Sequence, residues 1–570
     1  MTNVFTIGIG GAAGDGTGEA GYTLGGLLAE LGYEVFVSLA NPSLIRGGHN
    51  YTRVSFSRDK VWCDHTKLDV LIALNEKSVT LHKSELNQDA IVLADSFELT
   101  DLVELGDQAI VLPITSSAKE VKAPMVARNS VAIGALCAYF GLDFDIMQRI
   151  LQNVFKDKKP EINIKLANIG FEFFKKLGRT HPKKLGPDQS EKELKELIDG
   201  NTAFARGLLA AGLNFYVAYP MTPSSSILHY LAGQQKNYPE LKVIQPENEL
   251  AAINMALGMS YAGKRVAIGS ATGGFTLMLE AFSFAGGAEL PLVVAVSQRQ
   301  APATGAPTFS SQTDLQMVIH AGHGEFPRVI IAPGDATEAY LAGANALNLA
   351  WKYQLPAVVL MDKIVSEHPA TNLIPTDKIE IETGKLATET GESYGRYEIT
   401  ADGISPLAFP GTPKTVVKVT SYEHDEAGIT TEEPTEIKAM IEKRFTKAET
   451  LAGELEHQET IKIYGDKQAD AVIVFWGSTK GPVLEAVKYL KRPAKLVQIV
   501  WVEPFDVKRV FAALTSAKKI INVECNHNAQ MAALIREKTG LEVSANILKY
   551  DSRPFDPLEL ADKINELNHG

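Results

Sequence analysis

The sequence predicts an α/β fold built from three parallel-sheet α/β domains, and three observations carry that prediction. Short apolar runs of strand length alternate with longer helical stretches, and after each of two breaks the alternation starts again. Glycine-rich turns stand between several of the apolar runs and the helix that follows. At 570 residues the chain is too long for one hydrophobic core.

The first block covers residues 1–178. Val4–Gly8 reads as a buried strand, followed by a glycine-rich turn and an Ala/Leu-rich helix through Leu31. Glu34–Ala40, Tyr51–Ser57, Asp69–Leu74 and Ala90–Ala94 are further strands. A polar, charged stretch with two prolines predicts a linker over 179–199. The second block, 200–465, has strands at Asn214–Ala218, Val266–Ile268, Leu292–Val296, Arg328–Ile331 and Ala357–Met361. Its 366–465 portion breaks the pattern with prolines, threonines and charges, and reads as an extension ending in a helix near 435–456. The third block, 466–570, restarts with strands Ala471–Phe475, Lys495–Val500 and Lys519–Val523. No short-period repeat is present.

A composition of 45% hydrophobic and 22% charged residues is that of an ordinary globular protein. The net charge of -12 argues against a nucleic-acid partner, which calls for a basic surface. No apolar run approaches the roughly 18 residues of a membrane helix. The first residues carry no basic region ahead of an apolar core, so a cytoplasmic location is expected. Cys63, Cys137 and Cys525 are scattered and form no CxxC pair, so a redox cluster, if the protein uses one, belongs to another chain.

Gly8-Ile9-Gly10-Gly11-Ala12-Ala13-Gly14-Asp15-Gly16 stands between strand and helix, and as a free loop its amides would suit a phosphate. A nicotinamide site also wants an acid at the end of the second strand, where this chain has Asn41-Pro42. A different phosphate-bearing ligand, CoA among them, remains open. Asp15 with Asn41 imitates the spacing of a magnesium–diphosphate clamp, and we read the match as coincidence. Ser43 to Tyr51 is a glycine turn that either simply enters a strand or presents Arg46 and His49 to an anion or a partner chain. Gly10, Gly11, Arg46 and His49 are therefore candidate anion-loop residues.

The second block holds the sharper chemistry. Tyr219-Pro220-Met221-Thr222-Pro223 leaves a strand, and its two prolines stiffen the loop that carries the Thr222 hydroxyl. Ser225 or Ser226 can cap the next helix. Gln245-Pro246-Glu247-Asn248-Glu249 is an ordinary helix start, or a lone carboxylate, Glu249, delivered to a pocket. Arg299 follows the strand beginning at Leu292, which puts its fork at the edge where sheets of this class bind ligands; a carboxylate fits it.

Taken in order, these motifs resemble the α subunit of the 2-oxoacid:ferredoxin oxidoreductases, of the 2-oxoglutarate:ferredoxin oxidoreductase type, with a γ domain fused ahead of it. The resemblance rests on 219–225, on the helix 247–263, on Ser270-Ala271-Thr272-Gly273-Gly274, on 289–299, on 302–308, on Ser311 to Leu315 and on Gly322-His323-Gly324-Glu325. Arg396-Tyr397, Gly403-Ile404-Ser405, Glu423 to Glu426, Lys443-Arg444, Glu524-Cys525-Asn526 and Arg553-Pro554-Phe555 extend it to the end of the chain. Ala301 and Ala303 depart from the family pattern, as does Met221, and the first two bear on the substrate pocket.

The resemblance implies a γ domain, a pyrimidine-type thiamine diphosphate domain and a transketolase C-terminal-like domain. It implies CoA-dependent oxidative decarboxylation of a 2-oxoacid with electrons passed to ferredoxin. Glu249 would activate the thiamine pyrimidine, Pro220 and Met221 would line it, and Thr222 and Arg299 would bind the 2-oxoacid. The cofactor would be shared with a β subunit that holds Mg2+ and a [4Fe-4S] cluster, in an (αβ)2 assembly. The fused order and the loop around Arg46 favour 2-oxoglutarate over pyruvate or a branched 2-oxoacid; Arg46 and His229 are candidates for its second carboxylate. Two competing readings are a transketolase- or decarboxylase-type thiamine enzyme without electron transfer and a non-catalytic nucleotide-binding protein.

Overall fold

Three β-sheets, each flanked by helices, make up the chain in its computed structural model, which describes residues 4–41, 48–96, 102–155, 160–182, 184–187, 195–387 and 394–568. The chain divides into two units, Met1–Ile198 with His368–Leu373, and Asp199–Glu367 with Ile374–Gly570.

The first unit holds an eight-stranded sheet. Its order is Ala109–Leu112, Leu86–Asp95, Leu68–Ala73, Phe5–Ala12, His49–Ser57, Glu34–Ala40, Ala370–Asn372 and Glu196–Ile198. The first four run parallel, as expected. The other four join by antiparallel pairing, so this sheet is half antiparallel within the mostly parallel α/β fold that was expected. The reason is connection length: too few residues separate Ala40 from His49 for a crossover helix, so the two strands must fold back as a hairpin.

Two further expectations change here. The end of the 179–199 segment is the strand Glu196–Ile198, and His181 and Leu185 are hydrogen-bonded to the carbonyls of Tyr139 and Phe140. The stretch Ala370–Asn372, expected in the extension of the second block, adds to the first sheet instead, where the Thr371 hydroxyl bonds Glu34 and accepts from the Val35 amide.

The second unit carries two sheets. One has the order Trp501–Glu503, Val329–Ile331, Pro356–Asp362, Leu292–Gln298, Val266–Ala271, Phe215–Val217 and Lys242–Ile244. All of its pairings are parallel except that of Trp501–Glu503. The other sheet has the order Ile461–Gly465, Lys495–Ile499, Ala471–Trp476, Lys519–Glu524 and Ala545–Leu548, with only Ile461–Gly465 antiparallel. This last sheet therefore opens five residues or so before the expected start at 466. The two sheets share one apolar core in which Val294, Val296, Leu360, Val474, Trp476, Val497 and Val502 are buried together. The helix Pro434–Glu454 packs on this unit through a buried ionic group: Glu289 accepts from Lys443 at 2.7 and 2.9 Å and also pairs with Lys447. Among the described residues no helix is long and apolar enough to cross a membrane.

Candidate active site

Phe215–Val217, Val266–Ala271, Leu292–Gln298 and Pro356–Asp362 are parallel neighbours, so their C-terminal ends lie along one edge. Ligands of such sheets bind outside that edge. The segments carrying Thr222, Gly274 and Arg299 all leave from it.

The 218–224 loop is tied down at several points. Asn201 Nδ2 donates to the Pro223 carbonyl at 2.7 Å and to Ser226 Oγ at 2.8 Å. The Ser224 amide and hydroxyl both donate to the Met221 carbonyl, at 2.9 and 2.8 Å. The helix that follows is Ser225–Gln234, with Ser224 at its cap position and no side-chain capping bond, so neither Ser225 nor Ser226 acts as its cap. From the end of Leu292–Gln298, two strands away, Arg299 Nη1 donates to the Thr222 carbonyl at 2.9 Å. The structure thus brings Thr222 and Arg299 together. Arg299 is half-buried, and burial lowers its pKa from the usual value while the guanidinium stays a cation.

Glu249 is the first residue of the helix Glu249–Tyr261, because Asn248 accepts from the Ala251 amide at 2.8 Å and caps it. Pro246 lies ahead of the cap and not in the first turn. The Glu249 side chain is 4% exposed, and its Oε1 has no hydrogen-bond partner among the described residues. An ionised carboxylate only accepts, and leaving one such atom dry and unpaired costs about 1–3 kcal/mol. Beneath it lies Gly274: a Cβ there would stand 2.7 Å from Glu249 Oε1 and collide with Ser270 Oγ. Ser270 Oγ is in turn 3.8 Å from Met221 Sδ. Glu249, Ser270, Gly274 and Met221 therefore form one contiguous patch, and Pro220, half-buried, is Met221's chain neighbour. Ser270 and Gly274 had no assigned role in the sequence; the signal was their glycine-rich turn between a strand and a helix.

The arrangement has a definite chemistry. It offers a buried acceptor to a ligand that brings an N–H or protonated ring nitrogen, and a cation to a carboxylate bound nearby. The buried, unpaired Oε1 fits the aminopyrimidine of thiamine, and the missing side chain at Gly274 leaves room for the Glu249 carboxylate itself. His229, on the helix after the loop, is exposed. Among the described residues, no group of three His, Cys, Asp or Glu side chains is placed to hold a metal ion.

The N-terminal candidates turn out differently. Gly10 and Gly11 lie inside the strand Phe5–Ala12, paired with Tyr51 and Asn50, and Gly10 also with Ala73. They are not a free loop, which corrects the anion-loop expectation. Their small size serves packing: a Cβ on Gly10 would sit 2.7 Å from Ser78, and one on Gly8 would meet Tyr51 Oη. The turn proper has Gly14 and Gly16 at positive φ, and Asp15 is engaged, accepting from the Ala12 amide at 2.7 Å and pairing with Arg128 at 2.7 Å. His49 opens the strand His49–Ser57, with Nε2 2.8 Å from His82 Nε2, and His82 Nδ1 is 2.9 Å from Glu85. Burial, with the His82 ring beside it, pulls the His49 pKa down to about 4, so the ring is neutral at pH 7, and its buried Nδ1 has no hydrogen-bond partner among the described residues. Arg46 lies outside the described residues.

Comparison with known proteins agrees with this picture. The family "Pyruvate flavodoxin/ferredoxin oxidoreductase, thiamine diP-bdg" matches residues 206–443, and "Pyruvate ferredoxin/flavodoxin oxidoreductase" matches residues 6–173. The 2-oxoacid:ferredoxin oxidoreductase subunit alpha of a Sulfolobus sp is 31% identical, over 98% of this chain and 95% of that one. The 2-oxoglutarate oxidoreductase subunit KorA of Mycobacterium tuberculosis is 26% identical over 87% of this chain and 80% of its own length. Among solved structures, the 2-oxoglutarate:ferredoxin oxidoreductase from Magnetococcus marinus with 2-oxoglutarate, coenzyme A and succinyl-CoA bound superposes with a TM-score of 0.89 at 30% identity, covering 99% of this chain and 100% of that one.

Proposed function

The chain belongs to the 2-oxoacid:ferredoxin oxidoreductases as an α subunit, and on that footing we propose that it supplies half of a thiamine diphosphate site for the CoA-dependent oxidative decarboxylation of 2-oxoglutarate to succinyl-CoA and CO2, electrons passing to ferredoxin. The observation that carries this reading is the buried, unpartnered Oε1 of Glu249, linked through Ser270 and Met221 to the loop whose Thr222 carbonyl Arg299 holds.

Thiamine diphosphate, when bound, supplies the electron sink that decarboxylation of a 2-oxoacid requires. The chain's own residues hold and orient. The Glu249 carboxyl would share one proton with the pyrimidine ring nitrogen, an interaction made strong by exclusion of water. Met221 and Pro220 line that ring. Arg299, with Nη1 on the Thr222 carbonyl, keeps its remaining N–H groups for the carboxylate next to the keto carbon. The Thr222 hydroxyl donates to the same end of the substrate, which fixes the bond to be broken.

Diphosphate, Mg2+ and a [4Fe-4S] cluster fall in this reading to a β subunit within an (αβ)2 assembly. Cys63, Cys137 and Cys525 are each buried and free, and Asp15 is committed to Arg128. Three buried thiols suit a cytoplasmic setting. The substrate choice is supported by the relatives whose names include 2-oxoglutarate. Co-expression with a cysteine-bearing β subunit, followed by CoA-dependent viologen reduction on 2-oxoglutarate and on pyruvate, tests both levels. Faster turnover of pyruvate overturns the substrate; no turnover of any 2-oxoacid overturns the function.

A further inference from the structure

We propose that Gln312 is a positioning residue for Arg299, fixing the substrate-binding strand end to the frame of the last sheet; the inference rests on the functional reading above. Gln312 is fully buried, and its four polar groups are all spent on strand ends of that sheet. Its amide donates to the Cys525 carbonyl at 2.8 Å, and its Oε1 accepts from the Cys525 amide at 2.8 Å. Its Nε2 donates to the Trp476 carbonyl at 2.8 Å, and its carbonyl accepts from Asn526 Nδ2 at 3.0 Å. Gln530 adds two more ties, accepting from the Gln316 amide at 3.0 Å and donating to the Thr313 carbonyl at 2.6 Å.

The frame it grips is itself fixed. Glu524, fully buried, accepts from Trp476 Nε1 at 3.1 Å, from Asn526 Nδ2 at 2.7 Å, from Asn522 Nδ2 at 2.8 Å and from the Met531 amide at 2.9 Å. Charge-assisted bonds of this kind hold geometry well in a dry interior.

From this anchor the chain reaches the site in two residues. The Asp314 amide donates to Gln298 Oε1 at 3.0 Å, and Gln298 is the last residue of the strand, immediately before Arg299. On the other side of Arg299, the Gln300 amide donates to the Phe309 carbonyl at 3.1 Å, and the Arg553 guanidinium covers the Phe309 ring at 3.8 Å. Arg299 is thus held before and after by a segment whose far end is Gln312. Its guanidinium meets the Thr222 carbonyl only if that backbone stays in place, since a displacement of about 1 Å is enough to lose near-attack geometry. The Gln312 amide donates to Trp476 and accepts from Cys525 at once, and an apolar side chain of the same length makes neither bond.

The test uses the co-expressed complex with its β subunit. Gln312→Met keeps length and loses both ends; Gln298→Met cuts the link at Arg299 and leaves Gln312 intact. Each is expected to raise KM for the 2-oxoacid, and the calorimetric Kd of the 2-oxoacid, about tenfold or more, with kcat within about threefold and thiamine diphosphate affinity within about twofold. The double variant is expected to be no worse than the poorer single, because both act along one path. The inference is overturned if Gln298→Met binds the 2-oxoacid normally, or if Gln312→Met loses substrate and cofactor affinity in equal proportion together with Tm, the mark of a merely structural role. Should Gln312→Met fail to fold, Gln298→Met decides alone. A wild-type complex that neither binds nor turns over a 2-oxoacid overturns the functional reading and the inference together; normal wild-type behaviour with an unaffected Gln298→Met overturns only the inference.

Discussion

Gly274 stands so close beneath Glu249 that a methyl group on it would lie 2.7 Å from Oε1. Its φ is not in the left-handed region, so alanine there meets no backbone penalty and is a better helix former than glycine. Gly274→Ala therefore acts through crowding, against Glu249 and against the buried Ser270 Oγ. It is expected to lower turnover about 100-fold by displacing the carboxylate, with a modest fall in Tm from overpacking, as checked by steady-state rates and thermal unfolding of the complex.

Arg299→Lys keeps the charge and loses the fork. A single ammonium cannot both hold the Thr222 carbonyl and grip a carboxylate with two parallel bonds. KM for the 2-oxoacid is expected to rise about 10–100-fold with a smaller change in kcat, read from initial rates over a wide substrate range.

Glu289 is the anion among three buried cations, Lys443, Lys447 and Arg396, and all three list toward it or its backbone. The lysines hold its carboxyl far below the usual range despite its burial, while burial pushes Lys447 down to about 7. Glu289→Gln leaves the lysines without a counter-charge and is expected to destabilise the second unit by about 3–5 kcal/mol, measured by denaturant unfolding at pH 7. Because the folded pKa of Lys447 lies below its value in an unfolded chain, the unfolded state holds more protons between about pH 7 and 10.5, and this group's contribution to stability rises with pH across that window.

His49 gives a second pH signature, in acid. Its pKa falls from 6.5 in an unfolded chain to about 4 in the fold, through burial, the adjacent His82 and Lys77, partly opposed by Glu85. Below pH 6.5 the unfolded chain takes up a proton that the folded one refuses, so stability is lost as pH falls from 6.5 towards 4 and is fully present above 6.5. His49→Gln is expected to flatten the fall of Tm over that range, measured by scanning calorimetry at several pH values.

The long strands were legible because Leu292–Gln298 and Pro356–Asp362 are unbroken apolar runs buried on both faces. Glu196–Ile198, Lys242–Ile244, Ala370–Asn372 and Trp501–Glu503 were not: unlike the equally short Phe215–Val217 and Val329–Ile331 they mix charged or polar residues into three positions, and their pairing partners are set by the tertiary fold. Glycine composition misled at Gly10 and Gly11: crowding by Ser78 at the first and by Asp15 and Leu74 at the second selects glycine in a strand as firmly as a phosphate does in a loop. In the site, the prolines around Thr222 and the strand-end place of Arg299 could be read from order alone. Gly274 and Gln312 could not, because their partners, Glu249 and the ends of a distant sheet, become neighbours only when the chain is folded.

In the proposed function this chain contributes Glu249 to a thiamine diphosphate site completed by a second subunit. That contribution is tested most directly by titrating thiamine diphosphate, with Mg2+, into the isolated chain, the wild-type complex and a Glu249→Gln complex, following fluorescence quenching and CoA-dependent viologen reduction on 2-oxoglutarate. No saturable binding is expected of the isolated chain, tight binding and turnover of the wild-type complex, and a loss of about 100-fold or more in turnover for Glu249→Gln. Tight binding by the isolated chain, or a Glu249→Gln complex that keeps wild-type turnover, would contradict it.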